Sequence, residues 1–223
     1  MSDPQPALAG SDRTLVTLTG WGFAVGSLLF VVGVPLSLST SSSAPVVSGW
    51  TFFAGSVFFT TAATLQMTTS WRTVRRERAA GTVSAYDHAE LTASWVQWIG
   101  TLAFNVTTLR AAVAATGAAD PSAAAIWRPD AFGSVLFLVS SVIALVPEVR
   151  KHRHGHVRDR SWAIAASNML GSVLFGISAV GAFTAPASTL TGRSMAIRFP
   201  PKPSLGACGF ITAATSLTFT VSA

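Results

Sequence analysis

Lys151-His152-Arg153-His154-Gly155-His156 is the one string in this chain that sets several metal-ligating side chains close together. His152 and His156 would share a helix face, and all three histidines would share a strand face. Either arrangement would present imidazoles to a transition metal. Against that chemistry stand the positive charges of Arg150, Lys151, Arg153, Arg158 and Arg160, with no carboxylate nearer than Glu148 or Asp159. A cation would be repelled. The string therefore reads as a solvated basic loop drawn to anionic lipid headgroups, and no metal is expected at His152, His154 or His156.

Polar side chains inside apolar runs are the other candidates. They are Gln66, Gln97, Asn105, Asn168 and Arg110. Gln97, Asn105 and Asn168 could hydrogen-bond between helices or line a polar path. Arg110 stands near the end of its run and is expected to snorkel to the interface. Asn105-Val106-Thr107 fits the glycosylation pattern, but a site within a helix is out of reach of that chemistry.

Ionisable groups in mid-membrane are functional candidates by default. Here Glu90, Asp130 and Glu148 fall at run ends, and Lys151, Lys202, His88, His152, His154 and His156 fall in connections. That pattern argues against a carrier built on buried carboxylates, a retinal Schiff base and a haem held within a bundle. Cys208 is the single cysteine, so neither an intrachain disulfide nor a cysteine-built zinc site is possible. No phosphate loop, zinc-protease string or nucleophile elbow occurs. The chain is expected to be no enzyme and to carry no cofactor.

The elements that hold these residues are apolar. Charged residues make up 11% of the 223 and hydrophobic ones 50%, where a soluble domain carries about 25% charge. Mean hydropathy is +0.50. Six runs approach the roughly 20 residues that cross a bilayer: Leu15 to Leu38, Val46 to Met67, Leu91 to Ala115, Ala131 to Val146, Ser161 to Phe183 and Leu205 to Val221. Pro147 and Glu148 are expected to close the fourth. Thr69 to Glu90 and Pro147 to Arg160 are expected to be basic connections.

The net charge of +6 would suggest nucleic acid in a soluble protein, but here it is sorted by position. With the amino terminus inside, Arg13 and the two basic connections place ten positive residues in the cytoplasm. Arg110, Arg128, Arg193, Arg198 and Lys202 leave five outside. This predicts six spans with both ends cytoplasmic, in a bacterial plasma membrane, and no nucleic-acid partner. Most of the tryptophans, such as Trp21, Trp50 and Trp162, fall near run starts and are expected at the headgroup level, as is Trp71 beside its arginines.

Gly-Ser-x-x-Phe recurs along the runs. The pairs are Gly26 with Phe30, Gly55 with Phe59, Gly133 with Phe137 and Gly171 with Phe175, with looser copies at Gly100 with Phe104 and Gly206 with Phe210. Odd-run glycines are 74 and 71 residues apart, and even-run glycines 78 and 73. The chain thus reads as an all-α membrane bundle of three tandem two-helix hairpins, at about 15–68, 91–147 and 161–222. Residues 1–14 form a cytoplasmic segment ahead of a single transmembrane domain, 15–223. Gly and Phe at i and i+4 share a helix face, so the motif is expected to serve close packing. Gly33 lies outside it and is expected to tolerate a large side chain better.

These hairpins, with Trp21 and Trp50 five residues before their glycines, resemble the YrhK-like family of bacterial membrane proteins. The likeness extends to Trp95 through Asn105, to Ser161-Trp162 and to Asn168 before Gly171. It covers roughly residues 15 to 183, and Arg193 to Ala223 departs from it. The resemblance implies a multi-spanning membrane protein and lends no catalytic residues. Two functions stay open: a non-enzymatic protein acting by assembly with lipid, a partner or further copies of itself, and a small transporter or channel with a path along the repeat axis.

Overall fold

A computed structural model describes residues 10–119, 121–153 and 160–184. They form five helices and no strand: α1 (Gly10–Leu38), α2 (Ala44–Ala80), α3 (Ala85–Ala115), α4 (Ala123–Arg153) and α5 (Arg160–Thr184). The run at Leu205 to Val221, with Gly206 and Phe210, lies outside the described residues. So do His154 and His156, while His152 falls in the last turn of α4.

Helices run into both expected basic connections. α2 continues through the arginines to Ala80, because no Pro or Gly interrupts residues 69 to 80 and Arg, Glu and Ala all favour helix. It stops at Gly81, whose φ of +73° lets Gly81 N–H and Thr82 N–H reach the carbonyls of Arg78 and Glu77. α3 then starts at once, with Ser84 and Asp87 forming a reciprocal capping box. In α4, Pro147 does not end the helix, which runs on to Arg153 and also begins before Pro129. Helices of this kind tolerate proline where neighbours take up the freed backbone groups.

Three helices, α1, α2 and α4, are long and apolar enough to cross a membrane. α3 is long but carries Gln97, Asn105 and Arg110, and the apolar part of α5, Ser161–Ile177, is shorter.

Each helix packs antiparallel on its neighbour in sequence, α1 on α2 through to α4 on α5, and no other pair packs among the described residues. The interior is inverted relative to a soluble protein. Its buried residues are mostly Ser, Thr, Ala and Gly, joined by Phe23, Phe30, Phe104 and Phe175, with no Leu or Ile among those described. Leu28, Val32, Val57, Val135, Leu170 and Ile177 face outward. An apolar exterior around a small-residue core is the arrangement lipid favours. Hydroxyls that face outward are satisfied within their own helix. Thr51 donates to the Val47 carbonyl at 2.7 Å and Thr61 to that of Val57 at 2.9 Å.

Candidate functional site

The helices of the pairs α1–α2 and α3–α4 each cross at a pair of glycines. A β-carbon on Gly26 would stand 2.7 Å from Phe59 Cδ2 and 3.0 Å from the Gly55 carbonyl oxygen. One on Gly55 would stand 3.1 Å from the Gly26 oxygen and 3.3 Å from Phe30 Cε2. The contact is reciprocal: each glycine makes room for the phenylalanine four residues after the other. α3 and α4 do the same, with Gly100 against Phe137 at 3.2 Å and Gly133 against Phe104 at 2.8 Å. The ring centroids lie 5.4 Å apart for Phe30 and Phe59 and 5.2 Å apart for Phe104 and Phe137, within the range for attractive ring pairs.

Three further glycines, ordinary by sequence context, sit in equally close contacts. Gly33 faces Phe52 at 2.6 Å, Gly22 faces Ala62 at 3.0 Å and Gly49 faces Ala112 at 3.0 Å, measured to the same hypothetical β-carbon. Gly33 therefore does not lie outside the packing. It is one heptad on from Gly26, as Phe52 is one heptad back from Phe59, so an antiparallel crossing brings both pairs to one seam. That heptad spacing is the signal the sequence carries for it.

Hydroxyls join α2 to α3 and α4 to α5. Ser56 on α2 and Thr108 on α3 lie 2.8 Å apart, and Ser141 on α4 and Ser172 on α5 lie 2.7 Å apart. In both cases the residue after a motif glycine meets the residue eight after the neighbour's glycine. Ser70 donates to Glu90 at 3.4 Å and Ser161 to Glu148 at 3.0 Å. On α1, Asp12 is buried and accepts a hydrogen bond from Arg76 of α2, with Arg72 at 3.8 Å.

Five motif phenylalanines, Phe30, Phe59, Phe104, Phe137 and Phe175, surround a cavity of about 40 Å³. At roughly 10–15 Å³ per water centre, that is room for a few waters. Its polar lining includes Gln97, Thr101 and Asn168. Of the three candidate amides, the structure brings Gln97 and Asn168 together here and sends Asn105 elsewhere. Asn105 Nδ2 donates to Thr60 Oγ1 on α2 at 2.9 Å, and its Oδ1 is buried with no partner among the described residues. Arg110 donates to the Ala125 carbonyl at 2.6 Å, which ties the end of α3 to the start of α4.

Chemically, the cavity offers amide and hydroxyl hydrogen bonds and aromatic faces. Its lining holds no carboxylate, imidazole, thiol or amine. Its serines are engaged, Ser56 with Thr108 and Ser172 with Ser141. No cluster of three metal-ligating side chains occurs among the described residues. Fold and site together define a helical bundle with an apolar exterior and, among the described residues, three helices long and apolar enough to cross a membrane. No family model, curated protein or solved structure matches the chain.

Proposed function

We propose that this chain is a non-enzymatic, multi-pass protein of the bacterial plasma membrane, built from three two-helix hairpins and acting by assembly with lipid or a protein partner. The reciprocal Gly–Phe crossing carries this reading. It recurs with the same partners in α1–α2 and α3–α4, and it uses the interior for close packing rather than for a reaction centre. On this reading residues 161–222 are the third hairpin, both ends are cytoplasmic, and the chain is a relative of the YrhK-like proteins it resembles.

Topology tests the hairpin arrangement. Reporter fusions at Arg76 and Arg153 are expected to read cytoplasmic and one at Ala119 external. Opposite readings at the first two would rule out the six-span arrangement.

A transporter or channel is the second reading. What favours it is that Gln97 and Asn168 both line the central cavity and each stands three residues before a motif glycine. Flux of ions and small neutral solutes into proteoliposomes separates the two. The packed-bundle reading expects leak equal to protein-free vesicles. Flux abolished by Gln97→Leu with Asn168→Leu would replace it with the second.

A further inference from the structure

The two interfaces between consecutive hairpins, α2–α3 and α4–α5, can be compared residue by residue. Motif glycines set the register: 55 matches 133, an offset of 78, and 100 matches 171, an offset of 71. The Ser–Glu contact occupies matching positions in both, with the residue types exchanged between helices, while the hydroxyl bridge moves to the other side of the glycines: the residue just after the glycine lies on α2 in one interface and on α5 in the other.

A second place breaks the match. At α2–α3 the Trp98 indole covers the interface and donates to Thr64 at 2.9 Å. The matching residues at α4–α5 are Met169 and Val142. There a cavity of about 250 Å³ opens, lined by Val142, Leu145, Val146, Val149, Arg150 and Met169. Val142, Val146 and Val149 are on the exposed surface.

The same register sets Arg150 against Arg72. Arg72 has the Asp12 carboxylate at 3.8 Å. Tyr86 stands where an acid matching Asp12 would be, and Arg150 is exposed without an ion-pair partner among the described residues. An apolar trough thus ends at an unneutralised guanidinium. From Val142 to Val149 it runs about 10 Å along the helix at 1.5 Å per residue, shorter than the roughly 15 Å acyl depth of one leaflet.

We propose that the α4–α5 groove is a binding site for one anionic phospholipid, its acyl chain along Val142 to Val149 and its phosphate on Arg150. Charge complementarity selects this occupant. The guanidinium gives a phosphate two parallel donors, and Arg150 opens the basic string Arg150-Lys151-His152-Arg153 in a chain of net charge +6. The proposal rests on the membrane reading above.

The test uses the full chain, delipidated in detergent, with melting temperature and native mass spectrometry as readouts. Phosphatidylglycerol and phosphatidylcholine of identical acyl chains are added in turn, with inorganic phosphate as a third arm. One retained phosphatidylglycerol is expected, favoured at least fivefold over phosphatidylcholine, and no shift with phosphate. Arg150→Gln should erase the headgroup preference, while Arg75→Gln, which removes a charge on α2 instead, should preserve it. Met169→Trp should fill the groove as Trp98 fills its counterpart, and lose the lipid. Val146→Phe serves the same purpose if that variant does not fold. Equal binding of both lipids, a shift with phosphate alone, an equal loss in Arg75→Gln, or full retention in the groove-filling variant would each overturn the site. Failure of the membrane reading would show separately, as a chain that stays in solution without detergent and does not float with liposomes.

Discussion

Gly26 and Gly55 approach so closely that a β-carbon on either would lie about 3 Å from the other's carbonyl oxygen, at 3.0 Å and 3.1 Å. Neither helix can take up a side chain there without moving its backbone or a ring of its partner. In lipid, where the hydrophobic effect does not drive helices together, such close fit is a main source of association.

Large side chains at the crossings should therefore push helices apart. Gly26→Leu, Gly55→Leu and Gly133→Leu are each expected to cost about 1–3 kcal/mol, the usual range for overpacking. Gly33→Leu should join them, because its β-carbon would meet the Phe52 ring at 2.6 Å. Gly176→Leu should cost much less, since nothing described lies within 4 Å of that position. Thermal unfolding in detergent compares the five. Equal, near-zero losses at Gly26 and Gly55 would mean that the seam is not what holds the hairpin.

The hydroxyl bridges should couple weakly but measurably. A double-mutant cycle of Ser56→Ala and Thr108→Val is expected to give about 0.6 kcal/mol, the average for hydrogen bonds between helices in a bilayer. The cycle for Ser141→Ala and Ser172→Ala should give a similar value. A coupling indistinguishable from zero in both would make these contacts bystanders of packing.

Asp12 should act as a clasp between the start of α1 and the last turns of α2. Asp12→Ala and Arg76→Gln are expected to lower the melting temperature by similar amounts, and the double variant should lose little more, because both remove the same bond. Arg72→Gln should lose less, since Arg72 lies 3.8 Å from the carboxylate. Independent, additive losses would contradict a shared contact.

The histidine string should be indifferent to metal. Replacing His152, His154 and His156 together with Gln is expected to leave stability unchanged, with or without zinc or nickel. A metal-dependent rise in melting temperature that the triple variant loses would establish a site there.

Several features are legible in the amino-acid order alone. The Gly and Phe four residues apart identify a helix face through periodicity, and the 11% charge identifies a chain that leaves apolar surface outside. Ser84 with Asp87 and Gly81 at a helix end are local signals, because a cap is made by residues a turn apart. Other features depend on which faces meet. Gly33 is an ordinary helix glycine until the antiparallel crossing sets Phe52 against it. Gln97, Asn105 and Asn168 are alike as residue types, and helix rotation alone decides that two line the cavity while Asn105 turns to Thr60. The arginines after Thr69 and the proline at 147 look like the ends of helices, yet α2 and α4 continue past them. Helix length there is decided by local propensity and by packing against a neighbour, whereas hydropathy reports only which part of a helix is apolar. Asp12 lies 64 residues from Arg76, and only the folded hairpin brings the two together.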